Sequence, residues 1–259
     1  MKIREVADYI VAWLNDYADN AGMRGFVVGV SGGIDSAVTS TLAAITGRPL
    51  LAVEMPIHQA VAQKTRAREH IELLQNRYDN VSSIEVDLTP VLESLIEALP
   101  PAADTDHRQL SLANTRARLR MTTLYYFAAL ERDLVVGTGN KVEDFGVGFY
   151  TKYGDGGVDL SPIGDLTKTE VYALGHELGV GDSILSALPT DGLWADNRTD
   201  EEQIGATYPE LEWAMAFTGD EESLDARQRE VLAIYRRLHA ANRHKIEPIP
   251  VCAIPPSLR

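Results

Sequence analysis

The chain has 259 residues, with 24 Lys plus Arg against 38 Asp plus Glu, for a formal charge of −14. That balance argues against nucleic acid or an anionic membrane as the main partner, so any anionic ligand must meet positive charge gathered locally. A single cysteine, Cys252, excludes an internal disulfide and a cysteine-rich metal site, and the lack of a signal-like or membrane-length apolar run predicts a cytoplasmic α/β protein.

Taken in order, Ile3, Val6, Ile10, Trp13, Leu14 and Tyr17 recur at spacings of three and four and predict an amphipathic helix over 3–17. Residues 25–30 form a nearly continuous apolar run, a strand buried on both faces as in a parallel sheet. A helix over 36–46 follows, closed by Gly47. Then come a strand at 50–55, a charged helix at 59–77, a strand at 83–88 and a short helix from Pro90 to 99. Residues 100–106 read as a surface linker, 110–132 as a long helix with arginines at its start, and 134–136 as a fourth strand. The Gly-rich stretch 141–163 is too long for an idle connection. Thr167 with Glu170 is a capping-box pattern opening a helix over 167–178. Beyond an irregular stretch at 188–200, helices are expected at 201–204, 209–218 and 221–242, before a proline-rich tail from 247. This alternation predicts an α/β fold, a doubly wound parallel sheet with helices on both faces. Ligands then sit beyond the carboxyl ends of the strands, where Ser31 and Thr138 fall.

Three stretches carry chemistry. In V-V-G-V-S-G-G-I-D-S, from Val27 to Ser36, a strand turns into a helix N-terminus through two glycines, which suits a phosphate. A carboxylate at Asp35 in such a cradle makes sense with a divalent cation between it and the phosphates. The loop lacks the Lys-Ser/Thr of a Walker A motif and does not match G-x-G-x-x-G. In L-A-N-T-R-A-R-L-R-M, Arg116 and Arg120 share a helix face while Arg118 points elsewhere; the cluster is a candidate anion clamp in an acidic chain. Residues 137–159 supply Thr138, Glu143, Asp144, Lys152, Asp155 and Asp159 among glycines. The six histidines show no metal-site spacing and read as mostly surface residues.

S-G-G-x-D-S after V-V-G-V resembles the ATP pyrophosphatase signature. With G-T-G-N-K-x-E, Y-T-K-Y-G-D-G-G-x-D, L-T-K and P-T-x-x-L following in order, the chain from about 29 to 245 is similar to the NAD⁺ synthetase family. The resemblance implies a Rossmann-like, adenine nucleotide α-hydrolase-like fold and a single NAD synthase domain over 1–259. It implies ATP-dependent amidation of deamido-NAD⁺ by ammonia through an adenylate, releasing AMP and pyrophosphate. By the same resemblance, Gly29, Val30, Ser31, Gly32, Gly33, Ile34, Asp35 and Ser36 bind ATP with Thr138, Lys168 and Thr190. Arg118, Lys152, Asp159, His244 and Lys245 hold deamido-NAD⁺, Asp35 and Glu143 share Mg²⁺, and catalysis falls to Asp35, Lys168 and Asp159. Asp144 is the alternative metal acid; Glu143 is favoured by its spacing from Thr138. Ammonia used directly is the simplest nitrogen source, because Cys252 lies in no glutaminase motif and a glutaminase domain needs far more chain. A homodimer involving the first helix is expected. Rival readings are an RNA-modifying ATP pyrophosphatase, disfavoured by the charge and the lone cysteine, and a nucleotide sensor, which has little need of both Asp35 and Glu143.

Overall fold

The run beginning at Phe26 becomes the central strand of a four-stranded, all-parallel sheet. In this computed structural model residues 1–190 and 199–259 are described. Helix α1 (Ile3–Ala21) precedes β1 (Phe26–Gly29); α2 (Ile34–Ile45), β2 (Leu50–Glu54), α3 (Val61–Arg77) and β3 (Val81–Glu85) follow. Next come α4 (Thr89–Ala98), α5 (Asp106–Glu131) and β4 (Leu134–Val135). The strand order is β3-β2-β1-β4, with Phe26 beside both Leu50 and Leu134. Alternate residues of β1 serve opposite faces, as strand geometry requires. Phe26 and Val28 pack with α1 and α2 side chains such as Leu14, Val38 and Leu42. Val27 and Val135 pack on the other side with Leu92 of α4 and Ala128 of α5. Around β1 the sheet is covered on both faces, so β1 and its neighbours β2 and β4 read as nearly continuous apolar runs.

Several boundaries differ from the sequence expectation. The third strand lies at Val81–Glu85 because it is a largely exposed edge strand paired only with β2. The apolar Val86 and Leu88, which suggested a later strand, continue as extended chain, their N–H groups donating to Glu54 O and Pro56 O. Helix α5 starts four residues earlier than 110 because Thr105 caps it, accepting from the Arg108 N–H. The stretch from 141 is not all loop: Lys141–Val147 is a π-helix, capped by the Asn140 side chain. Helix α6 (Lys168–Glu177) has the expected Thr167–Glu170 capping box. The short helices α7 (Asp182–Leu185) and α8 (Asp200–Ile204) flank residues 191–198, which with most of the irregular stretch expected at 188–200 lie outside the described residues. Helix α9 (Tyr208–Ala216) and α10 (Ala226–Ile246) complete the chain; Asp225 caps α10, a few residues later than expected. The apolar stripe of α1 packs on the core through Ile10, Leu14 and Ala18, while Tyr9 and Tyr17 of the same helix stay exposed. No described helix is long and apolar enough to cross a membrane.

Among the histidines, expected to be mostly surface residues, His70 is the buried exception. It is buried between α3 and α2, with its Nε2 3.0 Å from Ser40 Oγ. The Ser40 hydroxyl donates to Ser36 O at 2.7 Å, so the neutral ring presents Nε2–H to it. Burial lowers the imidazole pKa from 6.5 to about 4. A depressed histidine contributes fully above its unfolded value and costs stability as pH falls through 6.5 toward 4, by up to ~3 kcal/mol. We expect His70→Gln to flatten the chemical-denaturation stability profile between pH 7 and pH 4. An unchanged slope would show that His70 is not the group titrating there.

Candidate active site

At the carboxyl end of β1 the chain must reverse into α2, and small residues make that turn. Gly32 has φ +83°, the left-handed region that favours glycine. A Cβ on it would lie 2.6 Å from Gln63 O, so α3 packs directly against the loop. Gly33 caps α2 with extended backbone and no side-chain hydrogen bond, leaving first-turn N–H groups available to an anion. Neither serine caps the helix as Ser and Asp often do. Instead the Ser36 hydroxyl donates to Gly33 O at 3.0 Å and lies 3.1 Å from Ser31 Oγ.

Directly beside this turn sits a trio of charges, with Lys168 buried and Asp35 and Glu143 largely so. Lys168 opens α6, held there by the capping box, and its Nζ donates to Asp35 Oδ2 at 2.5 Å and to Glu143 Oε1 at 2.9 Å. Asn140 fixes both acids. Its Nδ2 donates to Asp35 Oδ1 at 3.2 Å, while its Oδ1 accepts the Val142 and Glu143 N–H groups and starts the π-helix. The Tyr208 hydroxyl donates to Glu143 Oε1, and its ring lies 4.8 Å from the Lys168 ammonium. Burial raises the Asp35 carboxyl, and Lys168 only partly offsets it. Glu143 feels the same burial, but Lys168 and Tyr208 outweigh it and hold this acid below the usual glutamate range. Burial works against the Lys168 charge too, yet the two carboxylates raise its pKa, so the ammonium stays protonated.

A cavity of about 260 Å³ opens over the loop and the trio, near the lower end of the ~300–1,000 Å³ usual for small-molecule sites. Every residue from Gly29 to Ser36 lines it, as do Thr138, Glu143, Lys168 and Thr190. Three further acids line it, Asp144, Asp155 and Asp200. Asp144 packs where any side chain on Gly139 would clash, and burial, then Glu143 and Asp155, raise its pKa well above the aspartate range. Burial pushes Asp155 up to about 6.

The residues expected to hold the second substrate are placed differently. Arg118 donates through Nε and Nη2 to Lys152 O, each at 3.3 Å, and Lys152 Nζ donates to His244 O at 2.5 Å. Lys245 Nζ donates to Gly148 O and Tyr150 O at 2.6 and 2.8 Å. These four thus gather where α5 and the end of α10 meet the 148–153 loop, outside the described cavity lining. Asp159 stands apart from both groups, accepting from the Val135 N–H at 2.8 Å and from the Tyr125 hydroxyl at 3.0 Å. Arg120 turns inward to Met55 O and Gln59, and Arg116 is half-buried, whereas Arg118 is exposed beside Lys152.

Sequence reasoning missed Asn140, Tyr208 and Arg66 as site residues, and it named Asp155 among the acids of 137–159 without giving it a role. Asn140 stood inside G-T-G-N-K without a role. Tyr208 follows a Thr207–Glu210 capping box that was legible, but nothing local directs its hydroxyl to an acid 65 residues earlier.

The sequence model of NAD synthase matches residues 6–248. The chain belongs to the NAD synthase family. NAD synthases are ligases of NAD biosynthesis that use ATP as a substrate. An NH₃-dependent NAD⁺ synthetase from Carboxydothermus hydrogenoformans is 37% identical to this chain over 242 residues, 93% of this chain and 94% of that one. One from Alkaliphilus metalliredigens is 38% identical, covering 96% of this chain and 99% of the relative. Among solved structures, an NMN synthetase from Francisella tularensis superposes with a TM-score of 0.85 at 32% identity, over 99% of both chains. The chain thus shares its overall fold with that synthetase.

Proposed function

We propose that this chain is an ammonia-dependent NAD⁺ synthetase, one NAD synthase domain that amidates deamido-NAD⁺ at the expense of ATP. The observation that carries the reading is the Asp35–Lys168–Glu143 trio facing a phosphate loop that has no lysine of its own. The first step joins a carboxylate oxygen of the nicotinate to the α-phosphorus. The bond from that phosphorus to the bridging oxygen breaks, and its electron pair leaves on pyrophosphate. In the second step the ammonia nitrogen attacks the carbonyl carbon, the C–O bond breaks and AMP departs with that oxygen. The nitrogen also sheds its excess proton; Asp155, with its raised pKa in the cavity wall, is the group we assign to take it.

The loop N–H groups and serine hydroxyls bind and orient the phosphates, and Lys168 is placed to stabilise charge growing on them. Asp35 and Glu143 already hold a cation, the Lys168 ammonium, between two carboxylate oxygens, a donor set that also suits a hard dication. Mg²⁺ bound there would offset phosphate charge. Among the described residues no three acids, histidines or cysteines form a metal centre, so phosphate and water oxygens would supply the remaining ligands. Glu143 is favoured over Asp144 as the second acid because it is the one that shares the Lys168 ammonium with Asp35.

Release of pyrophosphate from ATP, Mg²⁺ and ammonium tests the assignment, with nicotinate adenine dinucleotide and nicotinate mononucleotide supplied separately. The reading expects the dinucleotide to be preferred and NAD⁺ to form. The overlap with the Francisella tularensis NMN synthetase supports a second reading, in which the mononucleotide is preferred. Tight ATP binding without substrate-dependent pyrophosphate would leave only the sensor.

We also propose a homodimer, for which α1, with Tyr9 and Tyr17 exposed, and the outer faces of α4 and α5 offer apolar surface. Val91 and Leu95 lie four residues apart on α4 and are exposed, as are Leu99 just past its end and Tyr126 and Leu130 of α5. Sedimentation equilibrium at micromolar concentration should give twice the 28.4 kDa chain mass; a monomer would contradict the dimer.

A further inference from the structure

Three side chains of positive charge line the described cavity: Arg66, Arg120 and Lys168. Two are already engaged. Lys168 is held between Asp35 and Glu143, and Arg120 donates to Met55 O at 3.0 Å and to Gln59 Oε1 at 3.2 Å. Arg66 differs. Its Nε donates to Gly32 O at 3.2 Å, and no other partner of its guanidinium falls among the described residues. The bond fixes the guanidinium against the phosphate loop and leaves its two terminal nitrogens as donors.

Its placement is enforced by close packing. Gly32 in its left-handed conformation lies where a Cβ would meet Gln63 O at 2.6 Å, Ala67 N at 3.0 Å and Arg66 Cβ at 3.3 Å. The second turn of α3 therefore rests on the loop itself, and Arg66 projects from the point of contact. Pyrophosphate gains charge as it leaves, and the loop's N–H dipoles and hydroxyls carry no full positive charge to meet it. A guanidinium with two donors in a fixed plane fits phosphate oxygens. Resting on the synthetase reading above, we propose that Arg66 binds the β- and γ-phosphates of ATP and then the departing pyrophosphate, in the role that a lysine fills in loops that have one.

The competing role is structural: Arg66 would only brace Gly32. Arg66→Gln separates the two, because the glutamine amide nitrogen sits at the same distance along the side chain as Nε. It keeps the donor to Gly32 O and removes the charge. Calorimetric titration of the full chain with magnesium pyrophosphate and, separately, with AMP reads the difference, since AMP has no β-phosphate. Pyrophosphate should bind about 10–100-fold more weakly to the variant, the range for losing hydrogen bonds to a charged group, with AMP affinity unchanged. Arg66→Lys, which keeps the charge, should recover part of the loss. Unchanged pyrophosphate affinity, equal weakening of both ligands, or lysine no better than glutamine would overturn the proposal. Wild-type protein that binds neither ATP nor pyrophosphate would instead overturn the reading of the site.

Discussion

Asp35→Asn is expected to lower substrate-dependent pyrophosphate release by about 10²–10³-fold, the usual cost of removing one charge partner of a transition state. The change is nearly isosteric and leaves the Gly32–Gly33 turn untouched. Its effect on the fold should be the reverse of harmful. Two carboxylates and one ammonium give the buried trio a net charge of −1. Burial already raises the Asp35 pKa, a sign that its charge costs stability in the free protein. The asparagine variant should therefore match or exceed the wild-type thermal midpoint while losing turnover. Wild-type turnover in this variant would mean that the Asp35 carboxylate has no part in the chemistry.

Lys168→Met should have the largest effect on stability. It deletes the only cation bonded to Asp35 and Glu143 among the described residues and leaves two buried acids facing one site. Breaking a buried ion pair from one side typically costs about 3–5 kcal/mol, because the charge left behind has lost both water and partner. Urea denaturation should show a loss of that size with an unchanged slope. A dication entering between the acids would replace the missing ammonium, so Mg²⁺ should raise the variant's midpoint more than the wild type's. A loss below ~1 kcal/mol would show that the trio is not a coupled unit.

The parts of this site that were legible in the sequence are those whose residues are neighbours along the chain. V-V-G-V-S-G-G-I-D-S encodes strand, turn and helix within ten residues, and each step follows from local chemistry: branched apolar side chains, glycines, then a helix start. The Thr167–Glu170 box was legible for the same reason. What stayed hidden depends on contacts across the fold. Asn140 reaches Asp35 across 105 residues and Lys168 reaches it across 133. Arg66 was one cation in a charged helix, and only the contact of α3 with Gly32 distinguishes it from the others. The π-helix at Lys141–Val147 was masked by Gly146 and by the absence of any periodic apolar pattern in seven residues. His70 illustrates the same limit: a histidine flanked by Glu69 and Arg68 looks solvated, yet its helix turns that one side chain toward Ser40.

The central claim is that ATP is cleaved at its α-phosphate by a carboxylate of the second substrate, over a loop that holds the leaving pyrophosphate. Deamido-NAD⁺ labelled with ¹⁸O in the nicotinate carboxylate, turned over with ATP and ammonium, tests it most directly. The account predicts one labelled oxygen in the AMP phosphate, carried there when the C–O bond of the adenylate breaks. Unlabelled AMP, or ADP and phosphate in its place, would contradict it.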